Sequence, residues 1–263
     1  MTDTDEPVPF RVFALGYGLL AYLAFLFTGL YYLGFLANVG VPSGIDEGST
    51  GPLVEAVAID GGLIVLFGLQ HSVMARSWFK DRWTRVVPDP IERSTFVLGS
   101  ALVLLALAWF WRPLPTVIWD VDGPAGWVLW GVFGLGLVVV VLSSCQISHA
   151  SLFGLRQVYE YYRGRSSSPP PFQTPGLYRY VRHPLMTGIL LWIWATPHMT
   201  LGHLLFAGGL TVYVLVGTRL EERTLIDVHG DAYREYRRTV PMLLPRPGTS
   251  VDSMSDDTGS GQE

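Results

Sequence analysis

Arg182, His183 and Pro184 open one short apolar run of this 263-residue chain, and the pair Glu221–Glu222 follows the next. The first run covers residues 184–195, with Pro197 breaking it, and the second covers about 200–218. A guanidinium recognises a carboxylate through parallel hydrogen bonds. An imidazole gains and loses a proton near neutral pH. Adjacent carboxylates accept hydrogen bonds from cationic and hydroxyl-bearing groups. Taken singly, each of these side chains is explained by anchoring at a membrane boundary, with arginine snorkelling and glutamate solvated. Their order is harder to explain that way. They sit at both ends of one helical hairpin, so closing the hairpin brings them together. Pro184 suits the first turn of a helix, and Tyr233 and Tyr236 follow in the segment AYREY.

A second polar group lies upstream. Gln70, His71 and Arg76 end one apolar run, and Glu92 and Arg93 begin the next. The readings open here are boundary anchoring, a polar wall for a substrate pocket, and a buried Glu92–arginine partnership joining two spans. His198 and His203 are expected to be interfacial residues at the outer turn of the hairpin, and Cys145 a small buried residue. Gly131, Gly134 and Gly136 suit helix packing. No histidines, cysteines or carboxylates have metal-ligand spacing, so no metal is expected. No P-loop or dinucleotide fingerprint appears.

The elements that position these groups are membrane spans. The chain is 49% hydrophobic and only 15% charged, where a soluble domain carries about 25% charged residues. The apolar residues fall in runs long enough for a helix to cross a bilayer, roughly 20 residues. These are 12–39, in which Tyr31 and Tyr32 suit an interfacial belt, then 53–75, 94–111 and 126–147, followed by the two short runs. The pattern predicts an all-α polytopic bundle of about six transmembrane helices, with five as the alternative count and the two short runs forming a tight helical hairpin. The acidic first residues and the length of the first run argue for an uncleaved span rather than a signal peptide. With the N-terminus in the cytoplasm, 17 of the 18 basic residues fall on the inner side, and Arg112 is the exception. Basic residues are retained in cytoplasmic loops, so both termini are expected inside. A net charge of −4 argues against a nucleic-acid partner. Residues 248–263 are small, polar and acidic and are expected to be disordered.

The segment from PGLYRYVRHPLMTG to RLEERTLIDVHGDAYREYRRTVP resembles the isoprenylcysteine carboxyl methyltransferase family and the membrane phospholipid methyltransferases. Further stretches are similar to the methanethiol S-methyltransferase branch. They include LQHSVMARSWFKDRWTRVVPDPIERSTFVL, FGLRQVYEYYRGR and ATPHMTLGHLLFA, and the resemblance covers about 69–245. It implies a methyltransferase domain over 1–247 with its cofactor part at about 175–245. The implied cofactor is S-adenosylmethionine, held at the cytoplasmic face by Tyr178, Arg182, His183, Pro184, Gly188, Glu221, Glu222, Tyr233 and Tyr236. Arg182 and His183 are the implied catalytic residues. Gln70, His71, Arg76, Glu92 and Arg93 are implied for the acceptor. Met186 stands where the family carries an aromatic residue, so a stacking or hydroxyl contact is not expected there.

The physical chemistry agrees with the resemblance. A sulfonium donor needs neither metal nor covalent enzyme intermediate, only in-line approach of a nucleophile with anionic and aromatic groups around the cation. Glu221 and Glu222 suit the donor's amino or ribose groups, Arg182 its carboxylate, and His183 either the donor or a thiol proton. The implied reaction is methylation of methanethiol to dimethyl sulfide in the plasma membrane. The alternatives are a carboxyl or phospholipid acceptor, a sterol-type reductase and a non-catalytic NnrU-like protein. A transporter would place polar groups near the midplane of its spans, where only Asp60 qualifies.

Overall fold

The computed structural model describes residues 8–165 and 172–246. The acidic tail at 248–263 lies outside the described residues. The described residues fall into two compact units, one within 1–120, 149–169 and 198–210, and the other within 121–148, 170–197 and 211–263.

The first unit is built on α1 (Val8–Ala37), α2 (Leu53–Met74) and α4 (Asp89–Phe110), with a short α3 (Ser77–Trp83) between the last two. Its remaining elements are β1 (Val117–Asp120), α6 (His149–Leu152), α7 (Leu155–Tyr162), β2 (His198–Thr200) and the opening of α9 (Leu201–His229). α1 packs on α4 and α7, and α2 packs on α4. The buried residues of α1 include Ala14, Gly18, Ala21, Thr28, Tyr32 and Phe35, spaced by threes, fours and sevens along one face. Small residues at one end of that face admit a close neighbour. A Cβ on Gly18 would lie 2.6 Å from Val158 Cγ2. Aromatic rings fill the other end, where Tyr32, Phe35, Trp111 and Phe206 meet with centroids 5.4–6.1 Å apart. Tyr32 is therefore a core residue and not part of an interfacial belt. Its hydroxyl donates to the Leu104 carbonyl at 2.9 Å.

The second unit pairs α5 (Gly123–Ile147) with α8 (Pro184–Trp194) and adds α9 from Thr211, α10 (Asp231–Thr239) and a 3₁₀ turn at Gly176–Arg179. α5 and α8 approach through two glycines. A Cβ on Gly136 would sit 2.6 Å from the Trp192 nitrogen, and one on Gly188 would sit 2.7 Å from the Gly136 carbonyl. Backbone atoms cannot yield as a side chain does, so Gly136→Ala is expected to destabilise the protein by about 1–3 kcal/mol. Thermal unfolding in detergent checks this against Gly131→Ala, whose added methyl meets open space.

The protein is an all-α polytopic membrane protein. Among the described residues, five helices, α1, α2, α4, α5 and α9, are long and apolar enough to cross a membrane. α8 has 11 residues and reaches only about 17 Å, short of a hydrocarbon core of about 30 Å. The hairpin thus has unequal arms. Its second arm does not stop near Thr218 but continues to His229, because RLEERTL is rich in strong helix formers. The turn between the arms contributes β2, which pairs antiparallel with β1, with Trp119 opposite Met199 and Asp120 opposite His198. That ribbon was not expected. His203 at this turn is 1% exposed, so it is a core residue and not interfacial. Cys145 is exposed on α5 rather than buried.

Candidate active site

Chain geometry around Pro184 sets the first half of the site. A proline disfavours helical geometry in the residue before it. His183 accordingly sits at φ −125°, ψ 63° as the N-cap of α8, while Pro184 takes the first helical position. Arg182 and His183 thus leave the helix axis at its mouth. The second half comes from α9. Val214, Thr218 and Glu222 are buried at intervals of four, one face of a helix. Glu222 therefore occupies a position where packing would take an apolar residue. It is 4% exposed.

The two halves meet. Arg182 Nε donates to Glu222 Oε1 at 2.7 Å, and His183 Nε2 lies 3.2 Å from the same oxygen. Arg237 Nε approaches Glu222 Oε2 at 3.5 Å. A buried carboxylate is costly unless paired and hydrogen-bonded, and here both oxygens face cations or donors. Glu221 is different. Its side chain is 54% exposed, with Oε2 3.7 Å from His183 Nδ1. Each ring nitrogen of His183 therefore faces one carboxylate. A neutral imidazole has a single N–H, so it can donate to only one of them.

A segment after α10 crosses the start of α8. The Arg182 and His183 amides donate to the Pro241 and Met242 carbonyls at 2.9 and 3.0 Å. Thr187 Oγ1 donates to the Leu243 carbonyl at 2.6 Å. Arg182 Nη1 donates to the carbonyls of Arg237, at 3.0 Å, and Val240. Arg182 thus joins Glu222 to the 240–243 strap. A cavity of about 320 Å³ opens beside this group, lined by Arg182, Arg219, Glu222, Arg223, Arg237 and Met242.

Aromatic packing holds the frame. Phe172, Tyr233 and Tyr236 pack edge to face with centroids 5.6–5.8 Å apart. The Tyr236 hydroxyl donates to the Tyr178 carbonyl, and the Tyr178 hydroxyl reaches the Ser143 carbonyl at 3.4 Å. Burial pushes all three tyrosine hydroxyls well above the ordinary phenol range. Charge repulsion adds to it, from Glu221 on Tyr178, Glu222 on Tyr233 and Tyr233 on Tyr236. These phenols stay neutral, as donors and aromatic surface rather than bases.

Of the residues singled out in this unit, Tyr178, Arg182, His183, Glu221, Glu222, Tyr233 and Tyr236 therefore gather around the carboxylate pair. Pro184 sets the mouth of α8, and Gly188 faces α5. Sequence reasoning did not find Arg237, Arg219, Arg223, Met242 or the strap. The arginines read as ordinary cytoplasmic charge. A signal for the strap's approach was present in the spacing Tyr233, Tyr236, Val240, one apolar face.

The upstream group belongs to the first unit. Gln70 and His71 converge on Ser100. His71 Nδ1 is 3.1 Å from Ser100 Oγ, and Gln70 Nε2 is 3.5 Å from that oxygen and 3.1 Å from Met74 Sδ. Ser100 donates its own proton to the Phe96 carbonyl at 2.9 Å. Arg93 donates from Nε to the Leu152 carbonyl at 2.8 Å, and its guanidinium lies 4.8 Å from the Phe96 ring centroid. Glu92 forms no ion pair with an arginine among the described residues. Arg76 precedes α3 and Glu92 lies in the first turn of α4. Neither is hydrogen-bonded to the Gln70–His71–Ser100 group. Among the described residues, no three histidine, cysteine or carboxylate side chains converge on a metal position.

The family described as NnrU protein matches residues 61–244. A methanethiol S-methyltransferase of Mycobacterium tuberculosis is 50% identical, covering 90% of this chain and 98% of its own. A methanethiol S-methyltransferase of Crocosphaera subtropica is 48% identical over 89% of this chain and 92% of its own. Nurim of Xenopus laevis is 32% identical over 77% of this chain and 79% of its own. No solved structure matches.

Proposed function

Because the chain belongs to the NnrU protein family, we propose that it is an S-methyltransferase converting methanethiol to dimethyl sulfide. The donor is S-adenosylmethionine, taken from the cytoplasm at the inner face of the plasma membrane. Methanethiol gains the methyl and loses its thiol proton. S-adenosylhomocysteine and a proton are the other products. Similarity to relatives bearing that name supports the acceptor. One observation carries the donor site: the contact of Arg182 and His183 with Glu222, 40 and 39 residues further along the chain.

The residues present fit such a donor. It is a sulfonium carrying an amino group and a carboxylate. Glu221 and Glu222 are acceptors for its cationic and hydroxyl groups. Arg182, Arg219, Arg223 and Arg237, which line the cavity, are donors for its carboxylate. The half-buried Phe172 offers aromatic surface to a cation. When bound, the donor supplies an electrophilic methyl group. The protein's part is to hold and orient it and to leave a path for the thiol proton, since a thiolate is the better nucleophile. The clustering of 17 of 18 basic residues on one side supports a cytoplasmic orientation. Gln70, His71, Arg76, Glu92 and Arg93 stay proposed for the acceptor on the strength of the resemblance.

The test is expression in cells lacking this activity, with methanethiol supplied and the headspace analysed. Dimethyl sulfide is the expected product, and its absence from membranes containing the inserted protein refutes the reading. His183→Ala separates two roles. If His183 holds the donor, its affinity for S-adenosylmethionine falls about tenfold, the worth of one charge-assisted hydrogen bond, and turnover at saturating donor is retained. Unchanged affinity with lost turnover assigns it the proton instead.

A further inference from the structure

A different cavity, of about 220 Å³, opens in the first unit at the start of α2. Glu55, Arg112, Ser49 and Thr50 line it, together with Gly51 and Ala56. Glu55 lies in the first turn of α2, and Arg112 follows α4 by two residues. Arg112 is also the one basic residue that the charge pattern leaves off the inner side. Both charged side chains face the same cavity, and among the described residues neither has an ion-pair or side-chain hydrogen-bond partner.

The backbone explains why they do not collapse onto each other. The Arg112 amide donates to Asp60 Oδ1 at 2.9 Å. Next to it, Trp111 Nε1 donates to the Ile45 carbonyl at 3.0 Å. These bonds fix the chain from which the guanidinium extends. Asp60 follows Ala56 by one helical turn on the same face of α2. It is fully buried, and its Oδ2 has no partner among the described residues. The site thus offers one guanidinium, an exposed carboxylate, a buried carboxyl one turn further on, and two hydroxyl-bearing residues.

Separated opposite charges facing one cavity suit a zwitterion. The helix ends beside it suit a lipid. Leu53, Val54 and Val57 on α2, and Trp109 and Phe110 on α4, are exposed apolar side chains on membrane-spanning helices. We propose that this cavity holds the head group of a phospholipid bearing a primary ammonium, with the phosphate on Arg112 and the ammonium on Glu55. Acyl chains then follow the apolar flanks of α2 and α4. A primary ammonium brings three N–H donors to the carboxylates, whereas a quaternary ammonium brings none.

Native mass spectrometry of the delipidated full-length protein tests this. It is offered equal amounts of phosphatidylethanolamine and phosphatidylcholine with the same acyl chains. Binding of phosphatidylethanolamine is expected to exceed that of phosphatidylcholine about tenfold. Arg112→Ala and Glu55→Gln should each remove the preference, while Arg112→Lys should retain it. All three leave the Arg112 amide and its bond to Asp60 in place. Equal binding of the two lipids to the native protein overturns the proposal, as does a preference that survives both Arg112→Ala and Glu55→Gln. Free phosphoethanolamine displacing the lipid at equal concentration also overturns it, by assigning the site to a soluble ligand.

Discussion

Glu222→Ala is expected to abolish dimethyl sulfide formation and to lower stability by about 3–5 kcal/mol, the loss typical when one partner of a buried ion pair is removed. Arg182 has a side chain only 9% exposed. Without Glu222, its guanidinium keeps its carbonyl partners but has no buried counter-charge. Glu222→Gln separates the two effects. Glutamine keeps the shape and one acceptor oxygen, so the fold should survive while donor binding weakens at least tenfold. Membrane-inserted protein is quantified first, then activity and thermal unfolding are measured on the same preparation. Full activity in either variant would remove Glu222 from the site.

The second large effect is expected at Arg182. Its side chain makes three protein hydrogen bonds in two directions, one to Glu222 and two to the carbonyls of Arg237 and Val240. A lysine ammonium is a point charge and cannot span that arrangement. Arg182→Lys should keep the protein folded, weaken donor binding at least tenfold and loosen the strap. Arg182→Ala should lose activity entirely and leave Glu222 dependent on His183 and the half-exposed Arg237. Hydrogen exchange supplies a readout besides activity. The amides of residues 182 and 183 donate to Pro241 and Met242, so they should exchange faster in both variants. Unchanged exchange with unchanged donor affinity would contradict the role assigned to this side chain.

How legible this was in the sequence depended on which force set each feature. Insertion into a bilayer depends on hydropathy, and the second run, read as 53–75, is a helix at Leu53–Met74. The meeting of Arg182 and His183 with Glu222 was legible because covalent connectivity forces a hairpin to bring its ends together. Packing was not legible. On a helix apolar all round, the pattern does not tell a lipid-facing side from a protein-facing one. Tyr32 and His203 were misplaced outward and Cys145 inward for that reason. The length of α9 was missed because hydropathy stops at the first charges, while helix propensity carries RLEERTL onward. The strap contributes mostly backbone carbonyls, which have no residue-type signature.

The most direct test of the central claim is a calorimetric titration of S-adenosylmethionine into the purified protein and its Glu222→Gln variant. The account predicts saturable one-to-one binding by the native protein and affinity at least tenfold weaker in the variant, with its unfolding temperature largely kept. Equal affinity in the two proteins, or no binding by a folded native protein, would contradict it.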